Sequence, residues 1–116
     1  MTGSAHGAPT RAPLYRDALA LCEWTLARLS KIDEPLPHTL CRRVIDLHEA
    51  VLMALKGRHR DAHIERADDV LMLVRAELRI AAMLGYLEDR QMRHALERAG
   101  AIGRQLGGWR RALGPL

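Results

Sequence analysis

Residues 98–113 read Arg-Ala-Gly-Ala-Ile-Gly-Arg-Gln-Leu-Gly-Gly-Trp-Arg-Arg-Ala-Leu, and three patterns are superposed on them. Ala99, Ile102, Leu106, Trp109 and Leu113 recur at steps of three and four, which is one buried stripe of an α-helix. Gly100, Gly103 and Gly107 form a second strip almost free of side chains. Glycine inside a helix costs roughly 1 kcal/mol relative to alanine, so close contact is expected to offset that loss. Arg98, Arg104, Arg110 and Arg111 add positive charge with no acid among them. The stretch therefore predicts a last helix that packs on other helices and carries a basic surface.

Working back from this helix, the same periodicity recurs three times. Tyr15, Leu19, Cys22, Leu26 and Leu29 predict a first helix ending near Lys31, and Asp33-Glu34-Pro35-Leu36-Pro37 breaks it. A second helix is expected from Pro37 or His38 to about Lys56, apolar over two adjoining stripes, with Gly57 as its terminator. A third opens near Asp61, with Glu65, Asp68 and Asp69 toward the positive end of its dipole, and runs to Leu84 before Gly85. On it Leu71, Val74, Leu78 and Ala81 face one way, and Leu73, Ile80 and Leu84 another. The fourth begins at Leu87-Glu88-Asp89. Residues 1–13, rich in Gly, Ala and Pro and without periodicity, read as a disordered tail ahead of a single domain over 14–116. Four helices of roughly 17 to 25 residues with short connections predict an all-α, up-down-up-down four-helix bundle.

The composition agrees. The 116 residues are 48% hydrophobic but only 3% aromatic, with no Phe, so leucine, alanine and methionine must fill the core, which suits helices better than strands. The formal net charge is +4, and every basic residue except Lys31 and Lys56 is arginine, whose planar fork binds phosphate at two points. Cys22 and Cys41 fall on apolar positions and read as buried reduced thiols. No apolar run reaches the length of a membrane span, and a cytoplasmic, unanchored protein is expected.

No motif of high specificity for catalysis is present, and neither a cofactor nor a metal is expected. His59 and His63 stand four apart, but no third ligand is near, and a closed zinc site needs four. Arg43 and His48 match the arginine, four residues, histidine spacing of helical-bundle ribonucleases of the HEPN type, in which arginine stabilises phosphorane charge and histidine moves a proton. The same spacing occurs at Arg58 and His63. The stronger lead is the basic set Arg42, Arg43, Lys56, Arg58, Arg60 and Arg111, read as a band for phosphate contact. Trp24 and Trp109 lie on helices, so no aromatic platform is expected beside the band, and binding should be sequence-tolerant. Arg75, Arg79 and Arg104 lie among apolar residues and are assigned to interhelix or intersubunit ion pairs. Gly103 and Gly107 are assigned to close helix approach, and Trp109 to closing the core.

Three segments together resemble one family. Ala67-Asp68 with Leu71, Arg75 and Leu78-Arg79 matches its third helix, and Leu84-Gly85-Tyr86-Leu87 with Gln91 its third turn. Ile102-Gly103-Arg104 with Leu106-Gly107-Gly108-Trp109 matches its closing motif. On these residues the chain resembles the accessory variability determinant (Avd) family, small four-helix bundles encoded beside the reverse transcriptases of diversity-generating retroelements. The first half agrees only in hydrophobic pattern and length. The chain departs from the family at Arg110, where an apolar residue is common. The resemblance implies a homopentameric barrel of bundles that binds the reverse transcriptase and template RNA through a basic surface. It implies support for mutagenic complementary-DNA synthesis without catalysis. The alternatives are a HEPN-like ribonuclease and a structural scaffold allied to the ribosomal intervening-sequence bundles.

Overall fold

The structure is a computed structural model that describes residues 2–113, with side chains over residues 13–112. It contains four helices: α1 (Thr2–Leu29), α2 (Pro35–Leu55), α3 (Arg60–Met83) and α4 (Asp89–Leu113), with no strand among the described residues. Each helix packs against its neighbours in the chain, and α4 closes the ring on α1, while among the described residues the backbones of the diagonal pairs α1/α3 and α2/α4 stay further apart. Connections too short to cross the bundle force each helix to run antiparallel to the one before it. The expected up-down-up-down four-helix bundle is the observed fold.

The glycines mark the turns as their chemistry requires. Gly57 and Gly85 have φ of 88° and 87°, the left-handed region that closes helices at little cost to glycine. After α3, the Gly85 N–H donates to the Ala82 carbonyl at 3.1 Å and the Tyr86 N–H to the Ala81 carbonyl at 2.8 Å, the paired bonds of a Schellman cap. His59, at φ 51°, takes the same left-handed geometry without glycine's freedom, so that α3 starts at Arg60, four residues after the Lys56 cap of α2.

Two helix starts differ from expectation. Helix α2 begins at Pro35 rather than Pro37 or His38, because proline at the first position forgoes only an N–H that has no intrahelical partner. Helix α1 reaches back to Thr2, where a disordered tail over residues 1–13 is read from the sequence. Burial of its described side chains begins at Leu14, which is fully inside.

The core is a single aliphatic cluster. Leu21, Leu40, Leu47, Leu78, Ile102 and Leu106 are fully buried, with alanines at Ala50, Ala67 and Ala99 letting the helices close up. Each large side chain removed from water contributes about 1.5–3 kcal/mol before chain entropy is counted. Leu73, Ile80 and Leu84, by contrast, stay on the outer surface of α3 beside Met72 and Met83.

Candidate nucleic-acid interface

The six residues assigned to phosphate contact do not form one band. The α2–α3 corner carries Lys56, Arg58 and Arg60, and the antiparallel order brings the last turns of α4 to the same end. The link is Arg60: its guanidinium carbon stands 5.5 Å from the centre of the Trp109 ring. Its Nε donates to the Ala54 carbonyl at 3.3 Å, capping α2. Lys56, Arg58 and Arg111 are exposed, and none forms an ion pair among the described residues. Arg42 and Arg43 lie some four turns up α2, about 20 Å from Lys56 at 1.5 Å per residue.

Arg43 is differently employed. Its Nε donates to Oε2 of Glu77 on α3 at 3.0 Å, and the Glu77 side chain is only 12% exposed. A carboxylate withdrawn from water requires this partner, so the guanidinium is an interhelix tie rather than part of an open cationic surface. This is a correction to its assignment to phosphate contact. Arg42 is exposed and stands 3.9 Å from Asp46 one turn away, a solvent-screened pair that is weak.

The arginines expected in ion pairs also divide. Arg75 reaches from α3 to α4, but its Nη2 donates to the Ala99 carbonyl at 3.4 Å instead of to an acid. Arg79 and Arg104 are exposed and make no ion pair among the described residues. Arg110 is the residue that bridges helices by charge: its Nη2 lies 3.3 Å from Glu65 and 3.1 Å from Asp68. Those two acids, read from the sequence as favourable to the start of α3, thus also hold the last turns of α4.

The small-residue strip acts in a way the sequence did not indicate. At Gly103 an added Cβ would lie 2.7 Å from Arg75 Nη2 and 3.3 Å from Leu71 Cδ2, so the missing side chain houses α3's guanidinium. Gly100 and Gly107 are covered instead by α4's own Arg104 and Arg111, whose Nη1 atoms would lie 3.5 and 3.4 Å from such a Cβ. Among the described residues no other helix comes within 4 Å of that part of the strip, so of the two glycines assigned to close helix approach Gly103 alone meets another helix here. Trp109 is half-buried against the core under Arg60 rather than fully enclosed.

The Arg43 and His48 pair does not converge. Five residues on a helix turn through 500°, placing the two side chains about 140° apart. Arg43 faces α3, whereas the His48 ring lies 5.3 Å from Tyr15 on α1, with a buried Nε2 that has no hydrogen-bond partner. Among the described residues no group of three or more His, Cys, Asp or Glu side chains is placed to hold a metal, and no helix is long and apolar enough to cross a membrane. Burial raises the thiol pKa of both Cys22 and Cys41; for Cys22 the neighbouring Cys41 and Glu23 add to it.

One constellation escaped the sequence reading. Trp24 and Arg28 on α1 meet Arg90, Gln91 and His94 on α4 around an open pocket of about 280 Å³. Its signal was two i, i+4 pairs, Trp24 with Arg28 and Arg90 with His94, on helices that only the ring closure of the bundle brings together. No protein-family model, curated protein or solved structure matches the chain.

Proposed function

We propose that the protein is a non-catalytic accessory factor of a diversity-generating retroelement, binding template RNA and the reverse transcriptase through basic surface in the cytoplasm. The observation that carries the nucleic-acid part is the convergence of Lys56, Arg58 and Arg111 at one end of the bundle, exposed and without carboxylate partners among the described residues. Unneutralised cations at one pole supply the sequence-independent attraction on which backbone binding rests. The reverse transcriptase and the template role come from the resemblance of residues 67–109 to the Avd family.

Self-association into a homopentameric barrel belongs to the same reading. It is supported by the outer face of α3, where Leu73, Ala76, Ile80 and Met83 are exposed at alternating steps of three and four. That spacing makes the seam by which one helix packs on another. Arg79 and Arg104, without ion partners among the described residues, would then pair across subunits.

The test is a salt titration of binding to single-stranded RNA. Neutralising Lys56, Arg58 and Arg111 together is expected to lower the slope of log K against log salt by about 2, at roughly 0.7 per phosphate contact, with solution mass unchanged. An unaltered slope would refute the RNA reading. Ile80→Glu is expected to give monomers of native helicity by light scattering; wild-type protein that is already monomeric would refute the assembly.

A further inference from the structure

We propose that the pocket between α1 and α4 framed by Trp24, Arg28, Arg90, Gln91 and His94 is a binding site for a phosphate group, separate from the basic end of the bundle and independent of the reading above.

The pocket lies where α1 meets α4. Its lining includes two arginines, a histidine and a primary amide, and no carboxylate. Arg28 is held in place twice. Its guanidinium carbon sits 4.3 Å from the centre of the Trp24 ring, and its Nη1 donates to the Trp24 carbonyl at 3.3 Å. A guanidinium held over an indole while one Nη serves a carbonyl still has N–H groups to donate, and phosphate offers paired oxygens to accept them.

The α4 wall supplies matching donors. Gln91 accepts the Glu88 N–H on its Oε1 at 2.9 Å, which fixes the amide and leaves its NH₂ as a donor. Arg90 is tied only to Glu88, at 3.3 Å, in a pair exposed on both sides and therefore easily exchanged for a better acceptor. The His94 ring packs 5.6 Å from Trp24, and its Nε2 accepts from Arg98 Nε at 3.0 Å, which orients the imidazole.

The indole is already engaged by Arg28 and His94, so what the pocket presents to a ligand is N–H donors rather than a stacking platform. Its volume is close to the lower bound of about 300 Å³ for small-molecule sites, enough for a phosphate with its sugar. The phosphate could belong to a free nucleotide or to an RNA backbone, and the two sources are separable.

The experiment titrates the full chain by calorimetry with inorganic phosphate, with adenosine monophosphate and with single-stranded RNA at low salt. Wild type is compared with Arg28→Gln/Arg90→Gln, with Arg28→Lys, with Trp24→Leu, and with Arg93→Gln as an exposed control on the same helix. A loss of at least tenfold in phosphate and nucleotide affinity in the double variant, and a smaller loss in Arg28→Lys and Trp24→Leu, supports the site with a free ligand. The same ordering seen only with RNA supports it with a backbone phosphate. Affinities for all three probes that are indifferent to Arg28 and Arg90, or that fall equally in Arg93→Gln, overturn it. RNA binding lost only on neutralising Lys56, Arg58 and Arg111, with phosphate and nucleotide affinities indifferent to Arg28 and Arg90, overturns the pocket but not the proposed function. Phosphate binding at the pocket in a chain that does not bind RNA does the reverse. Circular dichroism and melting confirm that each variant is folded.

Discussion

The guanidinium of Arg75 and the vacant side-chain position of Gly103 share one space between α3 and α4. Arg75 Nη2 bonds the Ala99 carbonyl, and a Cβ at position 103 would stand 2.7 Å from it. Glycine's cost in a helix is thereby offset by an interhelix hydrogen bond that alanine would disturb. Gly103→Ala is expected to leave stability level with wild type or about 0.5 kcal/mol lower, because the gain in helix propensity is cancelled by displacement of the guanidinium. In an Arg75→Ala background the same change should stabilise by about 1 kcal/mol. A double-mutant cycle by denaturant unfolding measures the difference, and a coupling energy near zero would show that the two residues act separately.

Among the described residues Gly100 and Gly107 meet only the arginines one turn ahead, at ordinary van der Waals distance. Replacing either with alanine should therefore raise stability by about 0.5–1 kcal/mol if the strip has no further partner. The same substitutions in an assembled protein report on the interface. A stabilised monomer together with a weakened oligomer, read by mass at falling concentration, would locate a neighbouring subunit on this strip.

The bond between Arg43 and Glu77 predicts an asymmetric pair of variants. Arg43→Ala strands a largely buried carboxylate whose Oε1 already lacks a partner, and is expected to cost about 2 kcal/mol. Arg43→Leu with Glu77→Leu should recover most of that loss, since both ends of the tie become apolar. RNA affinity should change less in these variants than in Arg58→Ala. A larger effect on RNA than on unfolding would return Arg43 to the binding surface.

His48 carries a buried nitrogen with no acceptor or donor beside it, and its ring rests on Tyr15. His48→Phe keeps the ring contact and removes the unsatisfied group, so stability should hold or rise by up to about 1 kcal/mol. RNA incubated with wild type and with His48→Phe should remain equally intact on a denaturing gel. Cleavage by wild type that the variant abolishes would instead restore the ribonuclease reading.

Both thiols have pKa values raised above the ordinary 8.5 or so, with burial the main cause. A thiol that resists ionisation in the folded state gives stability that is complete below the unfolded value and is lost as pH rises through the folded one. Unfolding free energy should therefore be insensitive to Cys22 and Cys41 from pH 6 to 8. Above about pH 8.5 it should fall more steeply than in a Cys22→Ala/Cys41→Ala variant. Alkylation at pH 7.5 should be slow until denaturant is added, and rapid reaction of the native protein would contradict their burial.

The sequence alone determined the helices. Apolar residues at steps of three and four, prolines after Lys31, and glycines at 57 and 85 are local signals, and local geometry obeys them because a helix closes its hydrogen bonds within the segment. The bundle followed, since short links between four amphipathic helices leave few other packings. What a side chain does across helices was not legible in this way. Arg43 and Arg42 are neighbours in the chain, yet one is bound to Glu77 and the other faces solvent, because adjacent positions point about 100° apart and only one of them meets α3. Arg75 found a vacant position at Gly103, 28 residues on, and Trp24 with Arg28 found Arg90 and His94 through the closure of α4 on α1. These pairings depend on register and rotation between helices, quantities set by the packing of the whole core rather than by any stretch of sequence within it.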